Sequence, residues 1–285
     1  MRFFIYLLTM AFSINAFAGK LDDAVTLAGK SAKGSENNLT EVFMSSEISS
    51  EEYIGNFQWF KKNAAEGDRA AEFCMSQYYI HGFGIPKDTA KGMKYLKSAV
   101  TKGLPQAQYT YGTYLFNGYL VAEDRKKGFE MIRNAARQGH MDAKFFTGTA
   151  YLAGQGTVRD GVKAVYWLER VDGNKYPFAN FMLGEVYIAG FGVEKNPEKG
   201  FSYIRRAADQ GIPEAQVKTA ELFDKGTGIP VNHKEAYKYL FLSKLNGVNT
   251  DDMLKSAASS LAKDQISTAE KEAAELHQHQ TVTRK

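Results

Sequence analysis

Apolar, small and polar residues along this chain follow a pattern that repeats every 36 residues. In the copy that starts at Asp142 and runs to Ala153, the packing positions Ala143, Gly148 and Tyr151 are spaced i, i+5 and i+8. That spacing is typical of one face of an amphipathic helix. A Gly-x-Gly turn follows it, and then a second segment of helical pattern with a bulky apolar pair. Each copy is therefore predicted to form two helices.

Three further columns recur at the same step and mark the ends and seams of the predicted helices. Glycine tolerates the left-handed conformation that ends a helix, and it stands at Gly82, Gly118, Gly154, Gly190 and Gly226. Candidate N-caps of the second helix follow six residues later, at Asp88, Asp124, Asp160, Asn196 and Asn232. A small residue that would let the paired helix approach closely stands at Ser76, Gly112, Gly148, Gly184 and Ala220.

One copy carries the fullest form of the motif. It reads Ala179-x3-Leu183-Gly184-x2-Tyr187-x2-Gly190-x-Gly192, then Asn196, Lys199-Gly200 and Ala207-Ala208-x2-Gly211. This string resembles the SEL-one-like repeat, which is similar to the tetratricopeptide repeat, and the resemblance covers about residues 57–247. It implies an all-α fold: a right-handed α-solenoid of antiparallel helix pairs, with about five 36-residue repeats plus capping helices.

Two repeats depart from the motif. Leu120 stands where the second glycine of the turn belongs, and Val171-Asp172-Gly173 replaces the usual Ala-Ala-x2-Gly at the end of the third repeat. We therefore expect a distorted joint after the third repeat.

The repeat boundaries divide the chain into segments. Trp59 and Phe60 fall in second-helix register, which predicts a half-repeat cap, and two closing helices are predicted at Thr250–Leu261 and Ile266–Leu276. The predicted segments are a signal peptide (1–18), a flexible or short helical segment (19–49), the cap (50–69), the repeats (70–247), the C-terminal capping helices (248–276) and a frayed tail (277–285).

The N-terminus has the features of a secretory signal peptide. Arg2 supplies a positive charge, an apolar run from Phe3 to Phe12 follows, and Ala16-Phe17-Ala18 has the small-x-small form cut by signal peptidase. A membrane anchor is the alternative, but the run is short for a span. We expect a periplasmic or secreted protein with no stable membrane insertion after cleavage.

Composition excludes some classes of partner and chemistry. The formal charge of +4 over 285 residues is too small to suggest a nucleic-acid partner. Cys74 is the only cysteine, so no intrachain disulfide can form.

Enzymatic motifs are sparse in this sequence. The Gly-x-Gly turns follow helices and lack the third glycine and the preceding strand of a dinucleotide site, so we interpret them as helix caps. His277 and His279 could supply two metal ligands, but nothing at suitable spacing completes a site. We predict no catalytic residue, no metal site and no cofactor.

The better candidate for function is a surface. Positions 9, 5 and 2 before the turn glycine share one face of each first helix by their i, i+4, i+7 spacing. If the repeats resemble tetratricopeptide arrays, this face lines a concave groove that could bind a peptide. The predicted groove consists of Phe73, Gln77, Ile80, Tyr109, Thr113, Phe116, Phe145, Thr149, Leu152, Phe181, Glu185, Ile188, Glu221 and Asp224. Burial of the aromatic column, and of the column two before the glycine, is the open alternative.

The resemblance implies an adaptor or scaffold. The leading interpretation is an exported periplasmic protein–protein interaction module, not an enzyme, that binds another protein or peptide. Three alternatives stay open: an immunity protein that neutralises a secreted antibacterial toxin, a cell-wall or β-lactam hydrolase, and a structural envelope component that self-associates through its ends. Some cysteine-rich members of the family are linked to β-lactam binding or hydrolysis, but this chain lacks their paired cysteines.

Overall fold

The computed structural model describes residues 50–283, and this part of the chain contains helices and turns but no strand. The all-α repeat fold predicted from the sequence is confirmed. The helices are α1 (Ser50–Ala65), α2 (Arg69–His81), α3 (Thr89–Thr101), α4 (Pro105–Asn117), α5 (Arg125–Arg137), α6 (Met141–Ala153), α7 (Gly161–Leu168), α8 (Pro177–Ala189), α9 (Pro197–Asp209), α10 (Pro213–Lys225), α11 (His233–Leu245), α12 (Asp251–Ala258) and α13 (Lys263–Thr283). The predicted signal peptide (1–18) and the segment 19–49 lie outside the described residues.

Helix α2 and each even-numbered helix up to α10 is the first helix of a repeat, and the next helix along the chain is its second helix. The second helices begin where the sequence predicts, because the Oδ1 atom of the cap accepts a hydrogen bond from the backbone N–H three residues later. This bond measures 2.9–3.1 Å at Asp88, Asp124, Asp160, Asn196 and Asn232. The first helices end at left-handed glycines, as at Gly82 with φ 80°.

Small residues bring the two helices of a repeat close together. A Cβ atom on Gly184 of α8 would lie 2.3 Å from Cγ1 of Ile204 in α9. A Cβ atom on Gly200 of α9 would lie 2.5 Å from Cγ1 of Ile188 in α8. Real Cβ contacts are longer than this, so the seam accepts only glycine without movement of its neighbours. This confirms the role predicted for the small-residue column.

The chain divides into two compact units. The first includes α1 to α5 and residues up to Ala143, with Gln155–Thr157, and the second holds Lys144–Gly154 and the chain from Val158 onward. In the first unit α1 caps the repeats through Phe57 and Phe60, whose rings lie 5.5 and 6.1 Å from that of the buried Tyr78. In the second unit a single core cluster extends from α8 to α13.

The third repeat deviates at the point expected from its sequence. Its second helix, α7, has 8 residues, whereas the other four second helices have 13. The chain leaves the helix after Leu168, and Oδ1 of Asp172 accepts a hydrogen bond from the backbone N–H of Asn174 in the turn that follows.

The predicted frayed tail at 277–285 is wrong for residues 277–283, because α13 continues to Thr283. Gln280 explains the difference. Its buried side chain donates from Nε2 to the carbonyl oxygens of Ala208 (3.1 Å) and Asp209 (3.0 Å) at the end of α9. A polar residue thus holds the tail by satisfying backbone groups that the end of α9 leaves without helical partners.

Leu120 adopts φ 59° and is the only residue other than glycine with a positive φ among residues 50–283. The left-handed conformation costs an L-residue about 1–2 kcal/mol.

We expect Leu120→Gly to raise the free energy of unfolding by about 0.5–1 kcal/mol, since the greater freedom of glycine in the unfolded chain offsets part of the gain. Urea unfolding would measure this. Leu120→Ala is the matched control: it keeps a Cβ atom and should give no gain, and equal stabilisation by both variants would contradict the prediction.

Candidate partner-binding surface

The structure divides the predicted groove into buried and accessible positions. The buried side chains, each less than a tenth exposed, are those of Phe73, Gln77, Ile80, Phe116, Thr149, Leu152 and Phe181. The side chains that solvent reaches at least in part are those of Tyr109, Thr113, Phe145, Glu185, Ile188, Glu221 and Asp224. Whether these accessible residues contact a partner stays a prediction.

The column two before the turn glycine faces the other helix of its own repeat. A Cβ atom on Gly92 of α3 would lie 2.6 Å from Cγ1 of Ile80, and one on Gly128 of α5 would lie 2.9 Å from Cβ of Phe116. These side chains therefore fill the seam between two paired helices. The prediction of an open groove along this column is wrong for Ile80, Phe116 and Leu152, whose side chains pack in the interior.

The buried polar members of the predicted groove form local hydrogen bonds. Nε2 of Gln77 donates to Oγ of Ser76 at 3.0 Å, and Oγ1 of Thr149 donates to the carbonyl oxygen of Phe146 at 2.8 Å. Buried polar groups need such bonds because they have lost their contacts with water. Each of these bonds stays within one first helix, so both side chains belong to the packed interior and do not face a partner.

The accessible part of the first unit includes an aromatic contact. The rings of Tyr109 and His140 stack with centroids 4.6 Å apart, and Nδ1 of His140 accepts a hydrogen bond from the backbone N–H of Ala143 at 3.3 Å. Burial lowers the pKa of His140, and the charge of Asp142 opposes that shift. The imidazole is therefore neutral at pH 7, so this contact presents aromatic surface without a positive charge.

The accessible carboxylates of the predicted groove all lie in the second unit. Nζ of Lys218 lies 3.4 Å from Oε1 of Glu185 and 3.8 Å from Oε2 of Glu221, so one ammonium group links α8 to α10. Asp224 is more exposed, and its Oδ1 lies 2.9 Å from Nδ1 of His233. Two carboxylates thus share one lysine on this surface, and a third pairs with His233. We call Glu185, Lys218, Glu221 and Asp224 the acidic patch.

Sequence reasoning found the carboxylates of the acidic patch but missed Lys218. Its place three residues before Glu221 is the signal that could have indicated an ion pair, because residues three apart are neighbours on a helix. The contact with Glu185 joins two repeats and depends on how α8 and α10 stack, so no local pattern could have predicted it.

Other kinds of site have little support in residues 50–283. No group of three histidine, cysteine, aspartate or glutamate side chains could hold a metal ion there. Cys74 is fully buried, and burial raises the pKa of its thiol well above the usual value, which disfavours the reactive thiolate. No helix in this part of the chain is both long enough and apolar enough to cross a bilayer.

Comparison with known proteins gives a family match along most of the repeat region. A family model described as the Sel1 repeat matches residues 70–104, 105–140, 142–170, 177–212 and 213–248. The shortest match, 142–170, is the repeat that contains the truncated α7. Among curated proteins, no sequence match was found.

Several solved structures are similar in fold. A Sel1 repeat protein from Oxalobacter formigenes aligns with a TM-score of 0.66 at 23% identity, over 80% of this chain and 94% of that one. The antigen c5321 of uropathogenic Escherichia coli, which has an SLR fold, aligns with a TM-score of 0.53 at 20% identity, over 89% of this chain and 60% of that one. The immunity protein Pa5087 from Pseudomonas aeruginosa reaches a TM-score of only 0.35, which carries no argument. At these identities the likeness shows the fold alone.

Proposed function

Because the chain belongs to the Sel1 repeat family, whose members bind other proteins, we propose that it is an exported periplasmic interaction module without catalytic activity. Sel1 repeat proteins are generally non-enzymatic scaffolds for protein interaction. The module binds its partner through accessible positions of the first helices, and the signal-like N-terminus supports export.

The observation that carries this proposal is the acidic patch. Glu185, Glu221 and Asp224 are accessible on consecutive first helices, and Lys218 pairs with the first two of them. Charges arranged in this way steer an oppositely charged partner and fix its orientation. Ile188 on the same helix packs toward Gly200 of α9 and contributes little to this surface. The partner is therefore a protein or peptide with a basic segment.

Photocrosslinking from the accessible positions tests this function. A photoreactive amino acid at Glu221 in the full chain, in living cells, should capture a defined product. Adding Glu185→Lys and Asp224→Lys should reduce that product about tenfold, since reversal of charges turns attraction into repulsion. The control carries the photoreactive residue at Glu198, an exposed position of α9. A product that survives the charge reversals, or that also forms from Glu198, would contradict the proposal.

Export is tested separately by the mass of the mature protein. Cleavage after Ala18 gives a chain that begins at Gly19, and we expect this species in the periplasmic fraction. Intact-mass measurement would detect it. Recovery of the full-length chain from the cytoplasm alone would contradict export and would leave the binding test unaffected.

A further inference from the structure

An apolar stripe runs along the outer side of the second helix in the third repeat. Val158, Val162 and Tyr166 are 83%, 64% and 49% exposed. Val162 and Tyr166 lie one turn apart on α7, and Val158 lies four residues before Val162 in the segment that leads into the helix. Exposed apolar side chains that share one side of a helix, as Val162 and Tyr166 do, are typical of interaction sites.

The other repeats provide an internal comparison, because they place different residues at the same positions. The counterparts of Val162, at steps of 36 residues, are Ala90, Lys126, Glu198 and Lys234. The counterparts of Tyr166 are Lys94, Glu130, Ser202 and Lys238. Four repeats therefore fold without a large apolar residue at either position. Packing of the repeat does not require the stripe.

Basic side chains continue this surface beyond Tyr166. The guanidinium of Arg170 lies 3.5 Å from the centre of the Tyr166 ring, and its Nη1 donates a hydrogen bond of 2.6 Å to the carbonyl oxygen of Tyr166. Four residues later, Oδ1 of Asn174 accepts a hydrogen bond of 2.9 Å from Nη2 of Arg206 in α9. The turn after α7 thus connects the stripe to a cluster of arginines.

Asn174 and Arg206 also line an open cleft of about 380 Å³, together with Phe201, Ser202, Arg205 and Asp209. The one carboxylate of this lining, Asp209, lies 3.7 Å from Nε of Arg205 and accepts a hydrogen bond of 2.6 Å from Tyr239. The carboxylate of nearby Glu169 accepts a hydrogen bond from the hydroxyl of Tyr187 and forms an ion pair with Lys199. Arg205 thus faces Asp209 and Tyr239, whereas the exposed Arg170 and Arg206 contact Tyr166 and Asn174 and supply positive charge beside the stripe.

We propose that this surface, the α7 face (Val158, Val162, Tyr166, Arg170 and Arg206), docks an acidic amphipathic segment of a partner protein. Apolar side chains of the segment cover the valines and the tyrosine, and its carboxylates pair with the arginines, which bind carboxylates with two parallel hydrogen bonds. The α7 face lies on second helices and not on the first helices that carry the acidic patch. The inference therefore does not depend on binding at that patch.

A second copy of the chain fits this surface poorly. In a two-fold dimer the same patch faces itself, so the arginines of both copies would be brought together, which like charges oppose. A stable interface also buries about 800 Å² on each partner, more than the few side chains of the α7 face can cover. A short acidic segment avoids both difficulties.

Selection from a library of random peptides of about 16 residues, displayed on phage, would test the proposal on the full chain. We expect enriched peptides with apolar residues at helical spacing and two or more Asp or Glu residues. Val162→Glu should weaken their binding about tenfold or more, and Arg170→Glu and Arg206→Glu about threefold or more each. Val158→Glu, at the most exposed position, is a second variant in case Val162→Glu alters folding. Thermal unfolding checks that each variant is folded.

Two controls separate this surface from others. Lys126→Glu alters the equivalent position of α5 and should leave peptide affinity unchanged, as should Glu221→Lys in the acidic patch. Three results would overturn the proposal: enriched acidic peptides that bind Val162→Glu as well as the unaltered chain, a selection that enriches no acidic peptide, or a dimer of the unaltered chain that Val162→Glu dissolves. Loss of crosslinking at the acidic patch would leave the α7 face proposal intact.

Discussion

Replacing Gly228 by alanine is expected to lower the free energy of unfolding by about 3 kcal/mol. Gly228 adopts φ 75°, where a Cβ atom is strained. That Cβ atom would also lie 2.1 Å from the carbonyl oxygen of Pro197, the first residue of α9. The clashing atom belongs to the backbone, so it can move only if α9 or the turn shifts. The cost of the strained backbone conformation and the cost of the clash therefore add in the expected loss of unfolding free energy.

The matched control is Gly247→Ala. Gly247 has φ 90°, but a Cβ atom there would meet nothing within 4 Å. In this variant the free energy of unfolding should fall only by the cost of the left-handed conformation, about 1–2 kcal/mol. Urea unfolding followed by circular dichroism would compare the two variants. Equal losses would mean that contact between the turn and α9 contributes nothing to stability.

Gly228 shows which part of the fold could be predicted from the sequence. The spacing of the glycines correctly identified helix ends, because a left-handed cap is a local property of the backbone. The contact with Pro197 could not be predicted in this way, since it depends on how one repeat stacks on the one before it. The same limit applies to Leu120: the sequence revealed the missing glycine but not that the backbone keeps its left-handed conformation.

The predicted groove failed in part for a related reason. Spacing of i, i+4 and i+7 places three side chains on one face of a helix, but it does not say how far that face turns toward the paired helix. Ile80 lies against Gly92, so its side chain is enclosed, whereas Glu185 and Glu221 on later first helices remain accessible. Comparison of columns between repeats could have found the α7 face, because Val162 and Tyr166 differ from their counterparts in the sequence alone.

The second large effect concerns a carboxylate at the start of α2. Glu72 is almost fully buried, and its Oε1 accepts hydrogen bonds of 2.9 Å from Oγ of Ser98 and from Nζ of Lys102. Its Oε2 is also buried and has no hydrogen-bond partner among the described residues. Nζ of Lys102 donates in addition to the carbonyl oxygen of Gly67 at 2.8 Å. One ammonium group thus links the end of α3 to α2 and to the turn after α1.

We expect Lys102→Met to lower the free energy of unfolding by about 2 kcal/mol. Loss of one partner from a buried ion pair costs about 3–5 kcal/mol, but the side chain of Lys102 is 38% exposed against 9% for Glu72, so water screens part of the interaction.

Lys97→Met, at an exposed position of α3, should change stability by less than about 0.5 kcal/mol. Adding Glu72→Gln to Lys102→Met should recover about half of the loss, because a neutral amide costs less to bury than a carboxylate. Urea unfolding of the unaltered chain, Lys102→Met, Glu72→Gln and the double variant completes a double-mutant cycle, with Lys97→Met as the separate control. If the double variant were no more stable than Lys102→Met, the unpaired charge of Glu72 could not be the cause of the loss.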